Sequence, residues 1–196
     1  IGPGMSQQPP CHDFLAQLLP MLTKPVVLDA DALNILARKP NLFNAVPRNS
    51  ILTPHAGEMH RLLNAFGFDD KEMTALEKAK KLSELTGCVC VMKGPFSIVY
   101  DAKDINMPFT FNLSGSPALA TAGSGDVLSG IIGAFILVNS YPALAARMGV
   151  FLHGLCGELT PDLLGCDTPD QNYSTGVIAD DLLKAIPLVL RKCQPY

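Results

Sequence analysis

The sequence is poor in charge and has no surplus of basic residues. Only 17% of its 196 residues are Asp, Glu, Lys or Arg, and fifteen basic against eighteen acidic side chains leave a net −3. A dedicated nucleic-acid binder carries a basic face, so no nucleic-acid partner is expected. Any phosphate held here should meet local backbone amides and one or two cations. Long apolar runs are missing as well. The longest, residues 127–138, spans twelve positions and contains Ser129, Gly130 and Gly133. That is short of the roughly 20 residues a membrane helix needs, so no membrane partner is expected. No secretory leader is visible, although with Ile1 in place of Met any leader would already be gone. The six cysteines (Cys11, Cys88, Cys90, Cys156, Cys166, Cys193) lack zinc-finger and thioredoxin spacing. A chain that is 48% hydrophobic has core enough without a disulfide framework, so a reducing, cytoplasmic compartment is the expectation.

What is present alternates. Apolar residues at helical spacing over 15–22 precede a short apolar strand at 26–28. Asp31 is expected to cap a helix running to Ala37. A strand at 50–53 stops at Pro54, and 57–66 reads as a helix. Residues 71–85 form a Lys/Glu-laced helix that Thr86-Gly87 ends. A buried strand at 88–92 places Cys88 and Cys90 on one face as small core residues. Segments 96–100 and 109–112 read as a strand pair near a sheet edge. Apolar helices follow from Asp126 and over 143–155, and a last helix over 178–191 contains Pro187, expected to bend it. Strands alternating with helices throughout predict a doubly wound, mostly parallel α/β sheet.

Ligands of such sheets bind beyond the strands' carboxyl ends, where this sequence places Asp29, Asp31, Thr53, His55, Glu58 and Lys93. The strongest signal is Ala120-Thr121-Ala122-Gly123-Ser124-Gly125-Asp126, leading straight into an apolar helix. Its glycines allow close backbone approach, and the first helical amides point at an anion. The segment is neither a Walker loop nor a dinucleotide fingerprint. A carboxylate at the mouth of an anion hole either transfers a proton there or merely complements the helix dipole. His153 and Cys156, three apart on one helix, read as a core pair in preference to metal ligands.

The Gly-Asp segment resembles the signature of the ribokinase-like superfamily. More narrowly, the chain resembles the ADP- or ATP-dependent NAD(P)H-hydrate dehydratases, carbohydrate-kinase-like repair enzymes. The segments that carry the likeness are Ile-Gly-Pro-Gly at 1–4, Leu-Asp-Ala-Asp-Ala-Leu-Asn at 28–34 and Leu-Thr-Pro-His-Ala-Gly-Glu at 52–58. Val-Met-Lys-Gly at 91–94, the segment 120–132 and Phe-Leu-His-Gly at 151–154 complete it. The chain departs from the family pattern at Ala122 and Ser124, at Met5-Ser6, and at Pro95-Phe96-Ser97. It also lacks the portion that the family carries before Gly-Pro-Gly.

The resemblance implies one ribokinase-like domain over 1–196, N-terminally truncated, with the sheet flanked by helices. It implies repair of hydrated NADH or NADPH with ADP or ATP and magnesium. Phosphoryl transfer turns the substrate hydroxyl into a leaving group, and ring-nitrogen electrons then expel phosphate. Asp126 would be the base and also touch substrate, together with Gly4 and His55. Lys93, Gly94, Pro95, Phe96 and Ser97, with Gly123, Ser124 and Gly125, would hold the nucleotide. Asp29, Asp31 and Glu58 are placed to order magnesium-bound water. The edge before Gly2 should be covered by a second copy or by the absent N-terminal portion. The alternatives are a small-molecule kinase of the same fold, of the thiazole or hydroxymethylpyrimidine type, and a truncated nucleotide-binding domain without turnover.

Overall fold

A computed structural model describes residues 1–165 and 176–193. Its elements, in chain order, are α1 (Pro9–Leu18), β1 (Val27–Leu28), α2 (Asp31–Arg38), β2 (Ile51–Leu52), α3 (Ala56–Ala65) and α4 (Ala75–Thr86). β3 (Val89–Met92), β4 (Ile98–Tyr100), β5 (Phe109–Phe111), α5 (Ser124–Val138), α6 (Pro142–Leu163) and α7 (Ala179–Lys192) follow. The strands form one sheet in the order β1-β2-β3-β4-β5. β1, β2 and β3 are parallel, and β4 and β5 add on antiparallel, which makes the sheet mixed.

Strand side chains alternate between the two faces, and the apolar strands supply a core on each. Leu28, Leu52, Cys90, Met92, Ile98 and Tyr100 pack with α1 to α4. Val27, Ile51, Val89, Val91 and Val99 pack instead against Leu128 and Ile132 of α5 and Ala143, Ala146 and Val150 of α6. This split explains why the paired residues of β1 and β2 are all apolar: both faces are covered. α7 closes on the outer side of α5 and α6 through Ala185 and Val189.

Several helix starts differ from the sequence reading. α4 begins at Ala75, not Lys71, because Thr74 Oγ1 accepts from the Glu77 amide while Glu77 Oε2 accepts from the Thr74 amide. α5 begins at Ser124, two residues before Asp126, with Gly123 capping it at φ +84°. Asp31 is not a cap. It is the first residue of α2, after Ala30 at φ +50°, and its carboxylate accepts from the Ser6 amide and the Gln7 side chain. α6 runs well beyond 143–155, and α7 continues through Pro187. Cys166 lies outside the described residues.

Candidate active site

Asp29 follows β1, Thr53 follows β2 and Lys93 follows β3, so three polar side chains rise together from the carboxyl ends of the parallel strands. Lys93 Nζ lies 2.7 Å from Asp29 Oδ1 and 3.9 Å from Glu58 Oε2. The Ala30 amide donates to Asp29 Oδ1 at 2.8 Å. Ser129 of α5 donates to Asp29 Oδ2 at 2.6 Å and stands 3.4 Å from Thr53 Oγ1. Asp29 is 1% exposed, and a carboxylate that deep persists only when paired and hydrogen-bonded. The network therefore pins the first turns of α5 over the strand ends.

Asp126 lies three residues before Ser129, on the same side of α5 and one turn nearer its start. Asp126 is exposed. Beneath it the helix start is open. The Ser124 amide donates to the Thr121 carbonyl and the Asp126 amide to Gly123. The Gly123 and Gly125 amides find no acceptor among the described residues. A Cβ on Gly125 would sit 3.3 Å from Lys93 Nζ, so the bare glycine lets the ammonium run beneath the helix start.

Ser124 is spent inside the protein. Its hydroxyl lies 3.1 Å from His153 Nε2, which also lies 3.0 Å from the Ser124 carbonyl. Burial pushes the His153 pKa down to about 4 and the Lys93 charge adds to this, against the opposing Ser124 carbonyl contact. His153 is therefore a neutral donor that ties α6 to the glycine loop, and Cys156 beside it is fully buried.

Alongside lies a cleft of about 550 Å³ between the turn after β3, the segment 112–120 and α6. Gly94, Pro95, Ser97, Ser114, Ser116 and His153 line it. Ser114 Oγ donates to the Phe151 carbonyl and Ser116 Oγ to that of Gly157, holding the segment on α6. Of the eight residues assigned to the nucleotide, Gly94, Pro95 and Ser97 line this cleft, while Lys93, Phe96, Gly123, Ser124 and Gly125 do not. The Lys93 ammonium is turned to Asp29, and the Phe96 ring is 61% exposed.

His55 stands at the start of α3. Its Nδ1 accepts from the Gly57 and Glu58 amides, and its Nε2 lies 3.3 Å from Glu58 Oε1. The Glu58 side chain in turn accepts from the His55 amide, so the ring is held in one orientation with an exposed edge. Gly4 takes φ +66° in an exposed turn fixed to the end of β1, where the Met5 amide donates to the Gly2 carbonyl. A Cβ on Gly2 would overlap the Asp29 carbonyl oxygen.

The structure thus brings Asp126, Gly123, Gly125, Lys93, Asp29 and Glu58 to one place, with Gly94, Pro95 and Ser97 along the adjoining cleft. Sequence reasoning missed Ser129, which the i, i+3 relation to Asp126 could have shown. It also missed the serines at 114 and 116, for which no local signal exists.

Comparison with known proteins identifies the family. A family model described as NAD(P)H-hydrate dehydratase matches residues 1–187. The bifunctional NAD(P)H-hydrate repair enzyme of Moorella thermoacetica is 37% identical over 99% of this chain, which spans 34% of that relative. The ADP-dependent (S)-NAD(P)H-hydrate dehydratase of Neisseria meningitidis is 38% identical over 94% of the chain, and 60% of that relative is covered. The crystal structure of the ADP/ATP-dependent NAD(P)H-hydrate dehydratase of Bacillus subtilis, co-crystallised with ATP and Mg²⁺, superposes with a TM-score of 0.74 at 26% identity. That match covers 99% of this chain and 64% of the other. Sequence motif, superposition and family match coincide, and the chain belongs to the NAD(P)H-hydrate dehydratase family.

Proposed function

We propose that this chain carries the dehydratase chemistry of its family: hydrated NADH or NADPH is restored to NAD(P)H at the expense of ADP or ATP. The observation that supports this reading is a helix start with two glycine amides that find no acceptor among the described residues, with the exposed Asp126 in its first turn and the Lys93–Asp29 pair beside Gly125. Hydroxide is a poor leaving group. Asp126 takes the proton of the substrate hydroxyl as its oxygen attacks the terminal phosphorus of the nucleotide. The P–O bond to the nucleotide breaks, leaving AMP or ADP. The Gly123 and Gly125 amides face the charge on the moving phosphoryl group, with the dipole of α5 behind them. Ring-nitrogen electrons then expel phosphate to give an iminium, and the adjacent ring carbon loses its proton, to the departing phosphate or to water, so that the double bond re-forms.

Gly94, Pro95 and Ser97 line the cleft for the nucleotide, and His55 and the Gly4 turn receive the substrate. Lys93 sets the local charge through Asp29 and Glu58. Magnesium fits this donor set as an ion carried by phosphates and water. Both Asp29 oxygens and Glu58 Oε2 already accept from protein donors, so these acids would face its water shell, where the ion would offset phosphate charge.

The test replaces Asp126 by Asn and follows recovery of the dihydronicotinamide absorbance from hydrated NADH with ADP or ATP and magnesium. Removing a positioned base should cost about 10²–10⁴ in rate, with nucleotide binding retained. A variant that turns over near the wild-type rate overturns the mechanism. Accumulation of a phosphorylated alcohol with hydrated NADH untouched favours a small-molecule kinase.

A further inference from the structure

The groove between α2 and α3 holds a pocket of about 390 Å³ lined by Gln7, Asn34, Arg38, His60, Arg61 and Asn64, with no carboxylate among its lining residues. In a chain of net charge −3 this concentration of cationic and amide groups points to an anion. Helical spacing produces it: Asn34 and Arg38 lie four apart on α2, and His60 and Asn64 four apart on α3. The nearby acids are outside the lining and already paired, two of them with wall residues. Asp31 holds Ser6 and Gln7, Asp70 holds His60 and Lys78, and Asp13 faces Lys39. Arg61 is held by one edge only, its Nε donating to Asn34 Oδ1 at 2.7 Å. That orients the guanidinium and leaves its terminal nitrogens for a ligand.

Arg61 of the pocket wall lies close to His55 on the substrate side of the site. A Cβ built on Gly57 would lie 3.0 Å from His55 Cε1 and 3.6 Å from Arg61 Nη1, so the imidazole and the guanidinium flank a single point. From Gly57 to Asn64 the groove extends about 10 Å along α3, at 1.5 Å per residue. A dinucleotide whose reduced ring reaches Asp126 past His55 must send its phosphates and adenosine away from the nucleotide cleft, and this groove is a cationic path leading from His55.

We propose that the α2–α3 pocket binds a phosphate of the hydrated dinucleotide, with Arg61 as its principal contact and Arg38 and His60 as supporting ones. The inference rests on the dehydratase reading above. Its test is Arg61→Gln and Arg61→Lys in the intact protein. Arg61→Gln should raise the KM for hydrated NADPH roughly tenfold to a hundredfold, the worth of one charge-assisted hydrogen bond, with kcat and the KM for ATP or ADP unchanged. Arg61→Lys, which keeps the charge, should recover part of the loss. An equal penalty on hydrated NADH assigns the pocket to the pyrophosphate, and a penalty confined to hydrated NADPH assigns it to the 2′-phosphate. An unchanged substrate KM in the Gln variant overturns the proposal. Calorimetry with NADP⁺ separates this from failure of the dehydratase reading. If the wild type shows no turnover, NADP⁺ binding lost in Arg61→Gln still supports the pocket, and equal binding by both proteins refutes it.

Discussion

At the residue scale, the structure gives Lys93 a partner within the protein. Its position after a buried strand suggests a phosphate contact, yet its ammonium closes on a carboxylate that is 1% exposed. A lysine at a strand end meets whatever the neighbouring strand ends supply, and Asp29 is 64 residues away in sequence. Lys93→Met should therefore act first on stability. Removing one partner of a buried pair typically costs about 3–5 kcal/mol, because the remaining charge stays desolvated. Urea unfolding should show that loss, and adding Asp29→Asn to Lys93→Met should return part of it, since the amide carries no charge. If Lys93→Met leaves the midpoint unchanged and weakens only nucleotide binding, the lysine faces the ligand after all. His55 and Ser124 teach a similar lesson: the first caps α3 through its ring, and the second anchors its loop to His153.

At the level of elements, strands and helix stops are set by local sequence. The apolar triplet at 26–28 marks β1, the stretch 50–53 before Pro54 marks β2, the Thr86-Gly87 stop marks the end of α4, and mixed polarity marks β4 and β5 as a strand pair near the edge, which the structure shows to be antiparallel. Helix starts were less legible, because a cap depends on which side chain reaches which amide: Thr74 took α4, and Gly123 took α5. The segment 112–120 was the least legible, since long-range contacts place it. A Cβ on Gly154 would stand 2.0 Å from Ser114 Oγ and 2.7 Å from the Ser114 carbonyl carbon, and one on Gly157 would strike Leu119. Two glycines inside a helix were the only sign that another backbone runs close by. Gly154→Ala should push the segment off α6, costing about 1–3 kcal/mol as overpacking does, and distort the cleft wall. A lowered denaturation midpoint together with weaker ATP binding is the expected result. Unchanged values of both would mean that the segment yields freely.

At the scale of the whole molecule, α6 links the outer helices to the chemistry through His153, and that link makes the fold sensitive to acid. Burial holds the His153 pKa at about 4, below its ordinary 6.5, so the native state refuses a proton that the unfolded chain accepts. The stabilisation is complete above pH 6.5 and disappears progressively as the pH falls to about 4. Two and a half units correspond to a loss on the order of 3 kcal/mol. A second decline belongs below pH 4. There Asp70, held low chiefly by Lys78, and Asp104, held at about 2 chiefly by the Met107 amide and Arg147, begin to take up protons. The two windows are separable by His153→Gln, whose amide can still donate to the Ser124 carbonyl but does not titrate. Denaturant unfolding between pH 7 and 4.5 should show a steady decline for the wild type and a nearly flat profile for the variant. The same acid range should weaken ATP binding in the wild type more than in the variant, because a protonated His153 would have to leave the wall that holds the glycine loop. A wild-type profile that is flat across this range would mean that His153 is hydrated and that α6 does not fix the loop through it.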